Sequence, residues 1–193
     1  MSEKRYIVGG MDGWLNIKRE PSGQVIALPE FLQVDLTESK EGRDYFTVLE
    51  GVELGKKFSV KTGNLTSAYP GFRGLAHVQF SLSKSLLTYP SGKTKAITGK
   101  ERPIPVGNHP IQIPDFPHST PVAYIRQSHF AKTWFYLGHG AAVPGRNDRY
   151  LHTGTLSDGC ITVDPSGWTQ FYQYLILCRS GDGKTVGMVS VVR

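Results

Sequence analysis

His152, Ser157, Gly159 and Cys160 fall within nine positions of one segment, YLHTGTLSDGCITV, residues 150–163. A cysteine is a useful nucleophile only as thiolate. It needs a base or cation within reach, and an attacked carbonyl needs donors for the oxyanion that forms. His152 can supply the base. Gly159 allows main-chain conformations that other residues resist and lets a substrate approach closely. The amides of Gly159 and Cys160 can then serve a developing oxyanion, and Ser157 can bond within the turn. A thiol activated in this way is expected to react with alkylating reagents below its ordinary pH range. Each residue also has a plainer reading: Cys160 as a small buried residue of CITV, and His152 as a core histidine bonded to main chain.

His152 lies eight residues before Cys160, too far for local contact along an extended chain. A strand–turn–strand return between them would bring the two side by side. YLHTG reads as a strand, and CITV opens the next element. Behind it, DPSGWTQFYQYLILCR reads as a helix ending at Gly181, with Asp164 as cap and Pro165 in the first turn. Trp168, Phe171, Tyr172, Leu175 and Ile176 share one face, and Cys178 belongs to the core. KTVGMVSVVR closes the chain as a strand. Upstream, AHVQFSLS alternates, with Val78, Phe80 and Leu82 on one side. KAITGK is its return strand, 109–113 a short strand, and AYIRQ and TWFYLG two more. Trp134 and Tyr136 flank Phe135, so one face is core and the other can line a groove. GHGAAVPGRNDR is a glycine-rich loop. Before residue 70, YIVGGMDGWLNIKRE gives two strands around a glycine turn. ALPEFLQVDLTES and RDYFTVLEGVELG give further strands, and KKFSVKTGNLTSAYPGFRG reads as loop.

These elements divide the 193 residues into an N-terminal β-rich region, 1–72, and a second domain, 73–193. The 22 glycines and 12 prolines, among spread β-branched and aromatic residues, favour a mainly β chain with many turns. The net charge of +6 comes from scattered Lys and Arg without a basic block. Charge is thus the sole argument for nucleic-acid binding, which has no zinc-finger spacing, RNP-like stretch or basic helix behind it. The six histidines show no metal-ligand spacing. His77, His109, His118 and His129 are read as surface or loop residues. Neither metal nor cofactor is implied. The start, MSEKRYIVGG, has no apolar signal core and no run suits a membrane span. The expectation is a chain made in the cytoplasm without a signal peptide, and exported, if at all, by a signal-independent route.

SDGCI behind a histidine strand resembles the SxGC signature of the L,D-transpeptidase (YkuD-like) family. HVQFSLSKSLLTYPSGKTKAITGKERPIPVGNHPIQI resembles the opening strands of that family, which lead into a TGK…P.P.G.f.I segment. The likeness covers residues 75–193. It implies an L,D-transpeptidase-like β-sandwich or barrel with one helix in its C-terminal region. The implied activity is acyl transfer on peptidoglycan stem peptides. Cys160 would attack the carbonyl that follows the L-centre of meso-diaminopimelate, and water, an amino acid or another stem peptide would resolve the acyl-enzyme. By the same likeness His152 is the base, the carbonyl of Thr153 orients its ring, and Gly159 and Cys160 amides form the oxyanion site. The short spacing in RYLHTGTLSDGCITV is similar to that of L,D-transpeptidase-like effectors of type VI secretion. That likeness implies an antibacterial toxin acting in a periplasm, with a secretion apparatus and an immunity protein as partners.

The chain departs from the family in two places. Many members carry arginine two residues after the cysteine, where this chain has Thr162; Arg146 and Arg149 are the alternative cations for a substrate carboxylate, with Ser157 as a further substrate contact. The family histidine is often followed by glycine and lies further upstream, which His139-Gly140 satisfies. His152 is preferred for its strand context, with His139 as a second active-site histidine. Two rivals follow: a non-catalytic peptidoglycan- or glycan-binding β module with a degenerate site, and a papain-type peptidase. The latter places its histidine after the cysteine, and none follows Cys160.

Overall fold

Apolar–polar alternation organises the chain into two sheets. The computed structural model describes residues 3–139 and 148–193. The first sheet contains β1 (Glu3–Ile7), β2 (Trp14–Arg19), β3 (Val25–Pro29), β4 (Gln33–Lys40), β5 (Arg43–Val48), β6 (Lys57–Lys61) and β7 (Leu65–Thr66). Their spatial order is β3-β2-β6-β5-β4-β1-β7. The two strands flanking the first glycine turn do not pair with each other. β1 pairs with β4 and β7, and β2 with β3 and β6. The stretch read as loop from residue 56 holds β6 and β7. Phe58 and Val60 enter the core there with Ser59 buried between them, which the surrounding Lys, Ser, Thr and Gly had masked.

The second sheet contains β8 (Ala76–Ser81), β9 (Leu86–Tyr89), β10 (Gly92–Ile97), β11 (Gly107–Gln112), β12 (Phe135–His139), β13 (Asp148–Thr153), β14 (Ile161–Val163) and β15 (Thr185–Val192). Its order is β11-β15-β8-β9-β10-β14-β13-β12. The edge strands β11 and β12 pack against each other, so the sheet curls towards a barrel. Two of its pairings, β15 with β8 and β13 with β14, are parallel. The protein is mainly β, as its composition suggests.

Helix α2 (Pro165–Ile176) begins as expected. The Asp164 side chain accepts from Ser166 N, and Pro165 occupies the first turn. Trp168, Phe171, Tyr172, Leu175 and Ile176 are all buried. The helix stops before Gly181 because the chain leaves it to bond elsewhere. Arg73 N donates to Leu177 O, and Cys178 bridges to Arg73. Cys178 is buried, and neither cysteine is in a disulfide. AYIRQ, expected as a strand, lies in the short helix α1 (Val122–Gln127). It buries no residue, so its apparent alternation faces no core. Tyr124 N bonds back to Pro121 O and Ser128 N to Tyr124 O, closing the helical turn.

One apolar cluster runs through both sheets and α2, from Ile7, Leu32 and Phe58 to Phe80, Trp168 and Val189. Polar ties cross the same junction. Trp14 Nε1 donates to Thr133 Oγ1 at 2.9 Å, and Tyr172 OH to Glu30 Oε1 at 2.8 Å. Arg179, beyond α2, meets Glu50, beyond β5, at 2.9 Å, with both side chains under a tenth exposed. Glu50 also accepts from Gln33 N and Nε2, and the Arg179 guanidinium lies over the Phe72 ring. Removing one partner of such a pair strands a buried charge. Arg179→Ala is therefore expected to cost about 3–5 kcal/mol, read by urea unfolding.

Candidate active site

The site is built on the parallel ladder of β13 and β14, where Leu151 faces Ile161, His152 faces Thr162 and Thr153 faces Val163. The expected hairpin-like return is corrected here, since the two strands run the same way. Parallel neighbours ordinarily need a crossover of a dozen or more residues. Here residues 154–160 suffice, because the ladder is only three residues long and the chain steps back by a short distance. His152 and Thr162 lie side by side on one face. Cys160 stands at the entry to β14 and lines the same cavity as His152.

The segment between the strands is held from several sides. Ser157 Oγ donates to Cys160 O at 2.8 Å, so this hydroxyl closes the turn that carries the thiol. Arg102 Nη2 donates to Asp158 Oδ1 at 2.7 Å, joining the β10–β11 connection to the turn. Tyr124 OH bonds Thr155 Oγ1 at 2.6 Å and accepts from Thr155 N, so α1 braces the start of the segment. Gly159 has φ +105°, and a Cβ there would lie 2.6 Å from Arg149 Cζ and 2.7 Å from Arg102 O. Both the backbone conformation and the space exclude a side chain. Arg149 itself is 2% exposed, with its guanidinium against Gly159.

His152 is fixed on three sides. Its Nδ1 lies 2.9 Å from Thr153 O, so the proton sits on Nδ1 and Nε2 carries the lone pair. Nε2 in turn lies 3.3 Å from Thr162 Oγ1. One face of the ring stacks on Trp134, with centroids 4.2 Å apart. Trp134 stacks on His118 at 4.4 Å, and His118 on Phe116 at 4.4 Å. His118, read from sequence as a surface or loop residue, is largely covered in this stack, with Nε2 bonded to Asp115 at 3.0 Å. The alternation around Phe135 resolves as groove on one side and core on the other. Phe135 is fully buried, whereas half-buried Trp134 lines the site.

An open cavity of about 520 Å³ is lined by Trp134, Asp148, Arg149, Tyr150, His152, Leu156, Ser157, Asp158 and Cys160. That volume suits a small ligand or a peptide end. Leu156 stands at its rim, 83% exposed. Burial dominates the electrostatics. It pushes the His152 imidazole down to about 4, against a smaller opposing effect of the bond to Thr153. It also pushes the Cys160 thiol up, while the Tyr150 backbone and Arg149 pull it down and Asp158 and Asp148 add to the rise. At neutral pH the site therefore holds a neutral thiol and a neutral imidazole. The expectation of a thiol ionised below its ordinary range is overturned, because the surrounding wall removes water faster than it adds positive charge. The imidazole bonds Thr153 O and Thr162 Oγ1 at rest, and the thiol bonds the Tyr150 backbone.

Of the other residues singled out from sequence, Arg146 lies outside the described residues. His139 ends β12 and pairs through its backbone with Asp148; its side chain is outside them too. No group of three or more His, Cys, Asp or Glu is arranged to hold a metal ion among the described residues. No helix is long and apolar enough to cross a membrane. Tyr124, Asp115 and the bond from Thr162 to the imidazole were not found from sequence. Thr162 was visible only as a departure from a pattern, Tyr124 meets Thr155 at a separation of 31 positions, and Asp115 reaches only the neighbouring Phe116 and His118 in a stretch that carried no site signal.

No protein-family model matches the chain, and no curated protein is significantly similar to it. Among solved structures, it is similar to L,D-transpeptidase 1 of Mycobacterium tuberculosis at 14% identity and a TM-score of 0.38, over 83% of this chain and 90% of that one.

Two outcomes check the electrostatics. Cys160 is expected to alkylate with iodoacetamide at pH 7 more slowly than a free small-molecule thiol, as read by peptide mass spectrometry. His152 ties folding to pH. Its folded value of about 4 lies below the ordinary 6.5, so between these values the unfolded chain binds a proton that the folded chain does not. Stability is then highest above pH 6.5 and falls as pH drops. Wild type should lose about 3 kcal/mol more than His152→Leu between pH 7 and pH 4 in urea unfolding.

Proposed function

We propose that this protein is a cysteine acyltransferase or peptidase of L,D-transpeptidase type, acting on peptidoglycan stem peptides. The observation that carries the reading is that Cys160 and His152 line one cavity, beside a glycine turn that no side chain can enter. The resemblance of SDGCI and of the upstream segment to the L,D-transpeptidase family supplies the substrate class.

In this reading Cys160 Sγ attacks the carbonyl after the L-centre of diaminopimelate. As the S–C bond forms, the thiol proton passes to His152 Nε2, and the carbonyl pair moves onto oxygen. Gly159 and Cys160 amides receive that oxyanion, with the Arg149 guanidinium nearby to favour negative charge. The C–N bond then breaks, and Nε2 returns the proton to the leaving amine. Water, an amino acid or a second stem peptide attacks the thioester and frees the thiol. Since both partners start neutral, proton transfer accompanies attack instead of preceding it. Thr153 O holds the imidazole in the tautomer that leaves Nε2 basic. Arg149, in the cavity wall, and Arg146 are the candidates for the substrate carboxylate, and Ser157 serves by holding the turn. We further propose that the protein is made in the cytoplasm and exported as an antibacterial effector to a periplasm. Its partners would be a secretion apparatus and an immunity protein. The short His152–Cys160 spacing supports that choice.

A second reading, a non-catalytic peptidoglycan- or glycan-binding module, is favoured by one feature: the resting lone pair of His152 faces Thr162. Digestion of purified muropeptides separates the two, with products read by mass spectrometry. Wild type is expected to change the tetrapeptide or cross-linked species, and Cys160→Ala and His152→Ala to lose that change by at least a hundredfold. Unchanged muropeptides with wild type would leave only binding. Full activity in His152→Ala with loss in His139→Ala would move the base to His139.

A further inference from the structure

Thr162 occupies the place where the resemblance leads one to expect arginine. Its side chain is 1% exposed, and its hydroxyl lies 3.3 Å from His152 Nε2. Nδ1–H is committed to Thr153 O, so the Thr162 hydroxyl donates to the Nε2 lone pair at rest. An arginine there would be a donor only and permanently charged. It could not accept from a protonated Nε2, and its charge would oppose an imidazolium beside it. A hydroxyl both donates and accepts.

We propose that Thr162 is a positioning residue that holds Nε2 of His152 in both protonation states, donating to the neutral ring and accepting from the imidazolium. The inference rests on the reading of Cys160 and His152 as the acyl-transfer pair. When the thiol proton reaches Nε2, the Thr162 hydroxyl turns its own hydrogen away and shares the new N–H with the sulfur as a second acceptor. When that proton leaves for the amine, the hydroxyl donates to Nε2 again. Thr162 gains and loses no proton over the cycle. Its role offsets the cost of charging a ring that is walled off from water by Trp134. The other titratable or charged groups facing the ring from the surrounding elements are Cys160, Tyr150, Arg149, Asp148 and Asp158, which line the same cavity, and His118 beyond Trp134.

The threonine methyl has a separate packing role, since Thr162 Cγ2 would lie 3.2 Å from a Cβ on Gly154. Two variants separate the roles. Thr162→Val keeps the branched shape and loses the hydroxyl; Thr162→Ser keeps the hydroxyl and loses the methyl. The readouts are the imidazole nitrogen resonances of ¹⁵N-labelled protein at pH 7 and through an acid titration, together with muropeptide turnover. Valine is expected to move the Nε2 resonance, to lower the titration midpoint of His152, and to reduce turnover at least about tenfold. Serine is expected to return all three towards wild type. A valine variant with the wild-type resonance, midpoint and turnover overturns the proposal. So does a serine variant displaced as far as valine. The resonances need no turnover. Wild-type protein that leaves muropeptides unchanged would overturn the proposed activity, while the spectra still decide the role of Thr162.

Discussion

The three-residue parallel ladder between β13 and β14 is the constraint on which the site depends. Its register places His152 opposite Thr162 and leaves Cys160 at the entry of the neighbouring strand. Every other feature of the site serves that register. β10 pairs with β14 on its far side, and β12 with β13, so neither strand of the ladder is an edge. Asp164 ends the ladder and caps α2, whose buried face anchors it to the core. The connection of residues 154–160 can be short only while the ladder is short. Ser157, Arg102 and Tyr124 hold that connection in one shape.

The same packing that fixes the geometry also sets the charge state. Stacking Trp134 on His152, and His118 behind it, orients the imidazole but takes water from it. A dry imidazole resists protonation, and a dry thiol resists ionisation. The site is thus a neutral pair with a cation, Arg149, set into the wall under the glycine turn. A pre-formed thiolate would be reactive towards any electrophile. A thiol that ionises only as it attacks is reactive mainly towards a carbonyl delivered to it. In the proposed reaction selectivity would come from the cavity, and the residues around Nε2 would have to ease the proton transfer.

Much of the site was legible because its signals are local. Cys160, Gly159, Ser157 and His152 lie within one short segment. The Asp164–Pro165 start of α2 is a short-range capping signal, and the helix face follows from a 3.6-residue period. The alternation in AHVQFS placed Val78 and Phe80 in the core, although Ser81 on the opposite face is buried as well. What failed depended on distant partners or on burial. The parallel sense of β13 and β14 is set by the sheet and not by the seven residues between histidine and cysteine. AYIRQ alternates like a strand but meets no core. Phe58 and Val60 sit among polar residues that read as loop. The depressed imidazole and raised thiol follow from walls contributed by Trp134 and Tyr150, so spacing alone suggested an activation that the enclosure reverses. Thr162 read as the loss of an arginine, and its bond to the His152 imidazole needs the cross-strand register to be seen.

The central claim is that Cys160 carries a stem-peptide acyl group during turnover. Intact-protein mass spectrometry, acid-quenched shortly after mixing with a disaccharide tetrapeptide muropeptide, tests it directly. The account predicts a mass increase equal to the acyl fragment ending at diaminopimelate, mapped to Cys160 and absent in Cys160→Ala. Absence of any adduct while muropeptides are being consumed, or an adduct that persists in Cys160→Ala, would contradict it.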